Sequence, residues 1–468
     1  MHKATNLVSL LSERIVLKTG FWLFVDLFVI SFGGWLFWLF LSMITSPTNI
    51  GYATTTISVV TLVTGVLSFG LDYALLRETF SLQGYAYGTI TIFEILVLVA
   101  ISPFVFLVGT LVYGESFAPY MTLAIAAFLV FGLAFTSKFA AIGLLKTRIV
   151  LLYDTIGAII RFSTGILLVT LGFGGLGIVM AGIFQQAVVA LGLALICYRK
   201  IGFKWGGTEK LKNLLKIGLS NFPTKISLLI SMNLSVALLA SAADPSSVGV
   251  FYIALMISLV TGGLATSIAT MAIPASANNN NDRQDSTATT LRLGLCLTTP
   301  LVAALASSSE FILSLVGEGY RTGSTSLVIL AIALPPTIIV SNVVSKLNRE
   351  RKFRQLVQLG LIQLLVFLLV FSFPSDLPKT FCTSLAILTS STAASVAAFK
   401  WLSFKAARLI VLSATSISVG WLIGTFVGSF SSVAGLLLAL ASSFMVILLM
   451  KGVTSSEISD LLRMIKEQ

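Results

Sequence analysis

The sequence predicts an all-α polytopic membrane protein of about fourteen transmembrane helices, with both termini in the cytoplasm. Three observations predict it. Only 10% of the 468 residues are charged and 56% are hydrophobic, whereas a soluble globular chain carries about 25% charged residues. Apolar runs of about 20 residues, the length that crosses ~30 Å of hydrocarbon as a helix, recur along the whole chain. Lysine and arginine gather on alternate connections between those runs.

The first run extends from Phe21 to Ile44, behind Lys3, Glu13, Arg14 and Lys18. It is too long for a signal-peptide core and lacks a small-residue cleavage site, so it reads as the first spanning helix. The helices fall at roughly 20–44, 51–70, 87–112, 119–139, 150–171, 176–198, 214–240, 247–271, 291–315, 324–345, 355–373, 380–399, 406–427 and 432–451. With the N-terminus inside, the cytoplasmic segments collect 26 of the 30 Lys and Arg, Lys138 among them. The external loops keep Arg321 and Lys379, and only Arg161 and Lys225 stay within spans. A wrong span count would scramble this alternation, so it supports both count and orientation.

The same bias explains the net charge of +12. It suits anionic lipid head groups, and its spread over many short loops tells against nucleic acid as a partner. Every external loop is short, which leaves no room for an outer catalytic domain. The longest cytoplasmic connections are 199–213 and 272–290. No G-x-x-x-x-G-K-[ST] phosphate loop occurs. Cys197, Cys296 and Cys382 lie far apart in or beside apolar runs and read as small buried hydrophobes. His2 is the only histidine, so neither a metal site nor a cofactor is expected.

The two halves of the chain resemble each other. Residues 46–53 read S-P-T-N-I-G-Y-A and residues 244–251 read D-P-S-S-V-G-V-F, so Gly51 and Gly249 correspond at an offset of 198. Gly114-Glu115-Ser116-Phe117 matches Gly317-Glu318-Gly319-Tyr320 at 203, and Leu145-Lys146-Thr147-Arg148 stands opposite Asn348-Arg349-Glu350-Arg351 at 203 again. Six helices separate the copies, an even number, so both share one orientation. The expected organisation is an N-terminal six-helix lobe (1–200) and a basic linker (201–213). A C-terminal six-helix lobe (214–400) follows, then helices thirteen and fourteen with a tail (401–468). Two pseudo-symmetric bundles of this kind suit alternating access by rocking.

These residues resemble the oligosaccharide flippases of the polysaccharide-transport branch of the MATE-like superfamily. The resemblance rests on P-x-x-[IV]-G at Pro47 and Pro245, on Gly249-Val250-Phe251-Tyr252-Ile253-Ala254, and on the Phe69-Gly70-Leu71 to Arg77-Glu78 segment. The Gly-Glu-x-aromatic turns add to it. It covers the whole chain and implies a plasma-membrane carrier, not an enzyme. The implied cargo is a polyprenyl-phosphate-type glycan moved from the cytoplasmic to the outer leaflet. Membrane lipids and glycan-assembly enzymes are the implied partners. Where helix seven of that family often carries an acidic residue, this chain has Asn233, which tells against a carboxylate role there.

Charges inside a bilayer are costly, roughly 2.5–3.5 kcal/mol at mid-helix, and usually face a cavity or a partner. Four stand out: Asp26, Glu94, Arg161 and Lys225. Asn221 and Lys225 share a helix face at i,i+4, and the repeat sets Asp26 opposite Lys225. In one reading Lys225 and Arg161 attract the pyrophosphate and acidic sugar of the substrate, beside Asn221 and Asn233, while Asp26 or Glu94 takes a coupling proton or Na⁺. In the other, these charges pair with one another. Arg77 and Glu78, at a helix end, read as a local ion pair. Pro223, near the start of helix seven, is either a hinge or a helix-start residue. Trp22, Trp35, Trp38 and Trp401 read as interface anchors or packing residues. Residues 455–468 form a weakly amphipathic tail. The alternative within this fold is a small-molecule or multidrug cation antiporter. A membrane glycosyltransferase or polymerase would need a nucleotide-sugar site or a large external loop, and neither is visible.

Overall fold

The computed structural model describes residues 2–229, 233–276, 283–350, 352–374, 376–401 and 405–450. All regular structure among them is helical. The helices are α1 (His2–Ile44), α2 (Pro47–Leu67), α3 (Leu71–Leu82), α4 (Gly84–Tyr113), α5 (Ala118–Gly143), α6 (Thr147–Leu168), α7 (Gly174–Ile201), α8 (Gly207–Leu229) and α9 (Ser235–Ala240). They continue as α10 (Pro245–Ser276), α11 (Arg283–Ser307), α12 (Ser309–Val316), α13 (Ser324–Ile332), α14 (Leu334–Arg349), α15 (Phe353–Phe371), α16 (Lys379–Ala398), α17 (Lys405–Gly428) and α18 (Ser432–Leu449).

Among the described residues eleven helical stretches are long and apolar enough to cross a bilayer, or twelve with the pair α11–α12, which bends by 77° at Ser308. One of the eleven, Thr147–Ile201, runs to 55 residues. Gly172 breaks it: its φ of 90° is left-handed, and α6 and α7 separate there. With that break, every expected span holds at least one helix among the described residues, the seventh holding α8 and α9.

Three local expectations are corrected. Between the second and third spans stands a helix of its own, α3, whose buried Leu71, Ala74 and Leu75 hold it on the bundle. Arg77 and Glu78 lie inside it, paired at 3.2 Å, not at the end of α2. The expected connection 272–290 is shorter, because α10 reaches Ser276 and α11 begins at Arg283. Pro223 lies in the interior of α8, six residues before its end at Leu229, because α8 begins already at Gly207.

The chain forms two compact units, Met1–Tyr252 and Ile253–Gln468. In the first, α8, α9 and the opening of α10 belong with α1–α7. Leu71, Leu75, Tyr87, Ile90, Val150, Leu193 and Leu214 form one core cluster. The two repeated motifs meet here. Ser46 caps α2 by accepting the Asn49 N–H, and Asp244 accepts the Ser247 N–H at 3.0 Å ahead of α10. A proline follows each cap in the first turn, where its missing N–H costs nothing. A Cβ on Gly51 would overlap the carbonyl oxygen of Pro245, and one on Gly249 would overlap that of Pro47.

In the second unit α11 packs on α17 and α18, and α15 on α16. Ser416 donates to the Ser443 carbonyl at 2.7 Å, so α17 and α18 lie backbone-close. Val302, Leu305, Ala331 and Leu334 form one core of this unit. Many large apolar side chains point outward, among them Leu422, Phe426 and Leu449. Such a surface suits hydrocarbon and not water.

Candidate functional site

The polar interior of the first unit is built on α1, α5 and α6. Lys138 on α5 donates to Asp154 on α6 at 2.6 Å and to Asp26 on α1 at 3.1 Å. Both acids are buried, at 5% and 4% exposure. Two carboxylates share one ammonium, so the ionised cluster is negative by one charge. Asp26 Oδ1 is buried and has no hydrogen-bond partner. The cluster can therefore accept a proton or a small cation.

Lys138 corrects the loop assignment: it is a residue of α5, clamped between helices, not part of a cytoplasmic connection. Its nearness to the helix end hid this from loop counting. Asp154 is not among the charges that the sequence singles out. Its signal was available, since it is an acid inside the predicted helix 150–171. Trp22, one turn before Asp26, lies under the Arg148 guanidinium at 5.6 Å.

Arg161 follows Asp154 by seven residues, two turns or about 10 Å further along the same face of α6. Its Nη1 donates to Gln185 Oε1 on α7 at 3.4 Å. The guanidinium lies 4.1 Å from the Phe37 ring centre and 5.4 Å from that of Trp38. Its Nε is buried without a hydrogen-bond partner. Among the described residues no carboxylate pairs with it. Trp38 is 3% exposed and edge-on to Tyr252 at 4.9 Å, so it packs the interior and is no interface anchor. Phe37 lies eleven residues beyond Asp26, about 16 Å along α1. The unit thus presents a negative cluster at one depth and a guanidinium at another.

Glu94 stands elsewhere. Buried on α4, it accepts from Thr136 Oγ1 at 2.6 Å. Thr136 precedes Lys138 by two residues and so points from the other side of α5. Beside Glu94 is a cavity with room for one water, lined also by Thr64, Ser68 and Phe135. Asp26 and Glu94 therefore occupy separate polar pockets. Asn233 stands just ahead of α9 and is half-buried. Asn221, Pro223 and Lys225 fall on α8, and their side chains lie outside the described residues, as does the tail 455–468. Lys204 and Lys210, both on one ring, are cations that sequence reading left among the loop charges.

A chain of apolar spanning helices with ionisable groups in their interior is a polytopic membrane protein. The chain belongs to the polysaccharide biosynthesis protein family, whose pattern it matches over residues 40–325, more than half its length. No curated protein matches it. Among solved structures it is similar to the lipid II flippase MurJ in an inward closed conformation, with a TM-score of 0.70 and 15% identity over 91% of this chain and 99% of that one. It is similar to an inward-facing multidrug-resistance MATE transporter of the MOP superfamily, with 0.58 and 16% over 83% and 96%. A third likeness is a MOP superfamily transporter from Pyrococcus furiosus, with 0.57 and 14% over 87% and 96%. The fold is the one these flippases and transporters share, and the protein is a multi-pass membrane protein.

Proposed function

We propose that the protein moves a lipid-linked oligosaccharide of the polyprenyl-phosphate type from the cytoplasmic to the outer leaflet of the cell membrane by alternating access. Arg161 carries this reading. Its guanidinium is held among apolar helices by an amide and two rings, and no carboxylate neutralises it among the described residues. Such a cation costs roughly 2.5–3.5 kcal/mol at mid-helix. An anionic group that enters and leaves, a diphosphate or an acidic sugar, gives it a use. The family's role in polysaccharide biosynthesis and the likeness to a lipid II flippase support the same reading.

On this reading Arg161 and Lys225 meet the anionic part of the cargo, and Asn221 and Asn233 complete the polar lining. Asp26 takes the coupling proton or Na⁺, because it shares Lys138 with Asp154 and keeps one oxygen open. Glu94 is the second candidate for that task, and Pro223 is the hinge of α8. Membrane lipids surround the carrier, and enzymes that assemble the glycan supply it. The test is flipping of a fluorescent polyprenyl-diphosphate glycan in proteoliposomes. Loss of flipping in Arg161→Gln at unchanged protein level supports the reading; full activity in that variant overturns it.

The net negative cluster at Asp26 favours a second reading, a small-cation antiporter. Proton-driven uptake of an organic cation, untouched by Arg161→Gln, would select it.

A further inference from the structure

Between α7 and α8 the backbone crosses the start of α4 as a strap, residues 202–206. The Lys204 N–H donates to the Gly84 carbonyl at 3.1 Å, and the Gly206 N–H donates to Thr89 Oγ1 at 2.8 Å. Gly88 permits the approach, since a Cβ there would lie 2.6 Å from the Lys204 carbonyl oxygen. The segment is therefore fixed on the bundle.

It fixes cations and rings together. Arg199, Lys200, Lys204, Lys210, Lys212 and Lys216 face a single acid of the same stretch, Glu209. Lys210 Nζ sits 3.7 Å from the centre of the Tyr85 ring, and Lys204 Nζ sits 5.6 Å from the same ring. Among the described residues no carboxylate is within ion-pair distance of either ammonium. Trp205 is 45% and Phe203 41% exposed beside them. The positive-inside bias asks for cations here. It does not ask that two of them be held over one ring, nor that a tryptophan and a phenylalanine stand exposed beside them. An exposed tryptophan beside unpaired ammoniums settles at head-group depth.

We infer that Lys204 and Trp205 on the strap 202–206, with Lys210 in the first turn of α8 over Tyr85, form a site for the phosphate of an anionic phospholipid head group. The two ammoniums take the phosphodiester oxygens. Trp205 and Phe203 take the glycerol and upper acyl region. Neither Arg161 nor the buried acids take part, so this site stands or falls apart from the cargo assignment.

The experiment uses the purified full-length protein in detergent. Phosphatidylglycerol, phosphatidylcholine and inorganic phosphate are added separately, and bound lipid is counted by native mass spectrometry. The wild type should keep phosphatidylglycerol in preference to phosphatidylcholine. Each lysine removed in Lys204→Ala/Lys210→Ala should weaken that binding about fivefold, the effect of one basic residue near a charged head group. Lys204→Arg/Lys210→Arg should retain it. Trp205→Ala, an exposed change that leaves the bundle intact, should weaken it severalfold. Equal retention of the two lipids by the wild type overturns the proposal. So does phosphatidylglycerol retention unchanged in Trp205→Ala or in the alanine pair. Thermal stabilisation by millimolar inorganic phosphate equal to that by phosphatidylglycerol overturns the lipid as the occupant.

Discussion

Gly51 and Gly249 stand in reciprocal contact: each lies against the carbonyl of the proline that opens the other's motif, which leaves no room for a side chain at either. The two sequence repeats are thus in backbone contact, and glycine is required there by space. Overpacking typically costs about 1–3 kcal/mol, and the obstacle here is backbone that cannot swing aside. Gly51→Val and Gly249→Val should each lower the thermal unfolding temperature in detergent by several degrees. The double variant should cost less than the sum, because both changes strain one contact. Wild-type melting of either single variant would refute the packing argument.

Lys138 joins two buried acids to each other, so its loss leaves both without their cation. Breaking a buried ion pair on one side costs about 3–5 kcal/mol. Lys138 is itself about a quarter exposed, so the lower end of that range is expected for Lys138→Met. Adding Asp26→Asn and Asp154→Asn should recover most of the loss. Thermal unfolding of the single and triple variants decides it, and a triple variant no better than the single would reject the cluster as the cause.

Arg161→Lys keeps the charge but loses the planar fork and its stacking on Phe37. Under the proposed function, flipping of the lipid-linked glycan should fall at least tenfold while melting temperature changes little. An equal rate for lysine and arginine would mean that charge alone suffices.

Asp244 gives a pH signature. Its carboxylate accepts the N–H and hydroxyl of Ser247 at 3.0 and 2.8 Å, which holds its pKa below the usual 3.8. A lowered folded-state pKa means stability that is present above 3.8 and lost as pH falls through the folded value. Replacing an N-cap by alanine costs about 1 kcal/mol. Asp244→Ala should therefore be less stable than wild type at neutral pH, with the gap closing in acid. A gap that stays constant down to pH 2 would exclude the carboxylate as its source.

The spans were legible because bilayer thickness fixes their length and charge bias fixes their direction. The repeat was legible because Pro47 and Pro245 sit at equal places. The partnership of Asp26, Lys138 and Asp154 was not, since it bonds residues as far as 112 apart in the chain and no periodicity spans that gap. As a charge near a helix end, Lys138 carries no sign in the sequence of its two buried partners. Arg161 was recognised as a costly charge, but its support by Phe37, Trp38 and Gln185 is tertiary. The extra helix α3 lay unread because its apolar face is too short to register as a span.

The break at Gly172 also bears on how the chain enters the membrane during synthesis. Thr147–Ile201 is one apolar length with almost no connection between its arms, so the two arms are expected to insert together as a hairpin. Arg161 would be a heavy burden for a solitary helix passing into lipid. In the hairpin, Gln185 follows on the second arm 24 residues later and accepts from the guanidinium, so the charge has its polar partner within the same pair of helices.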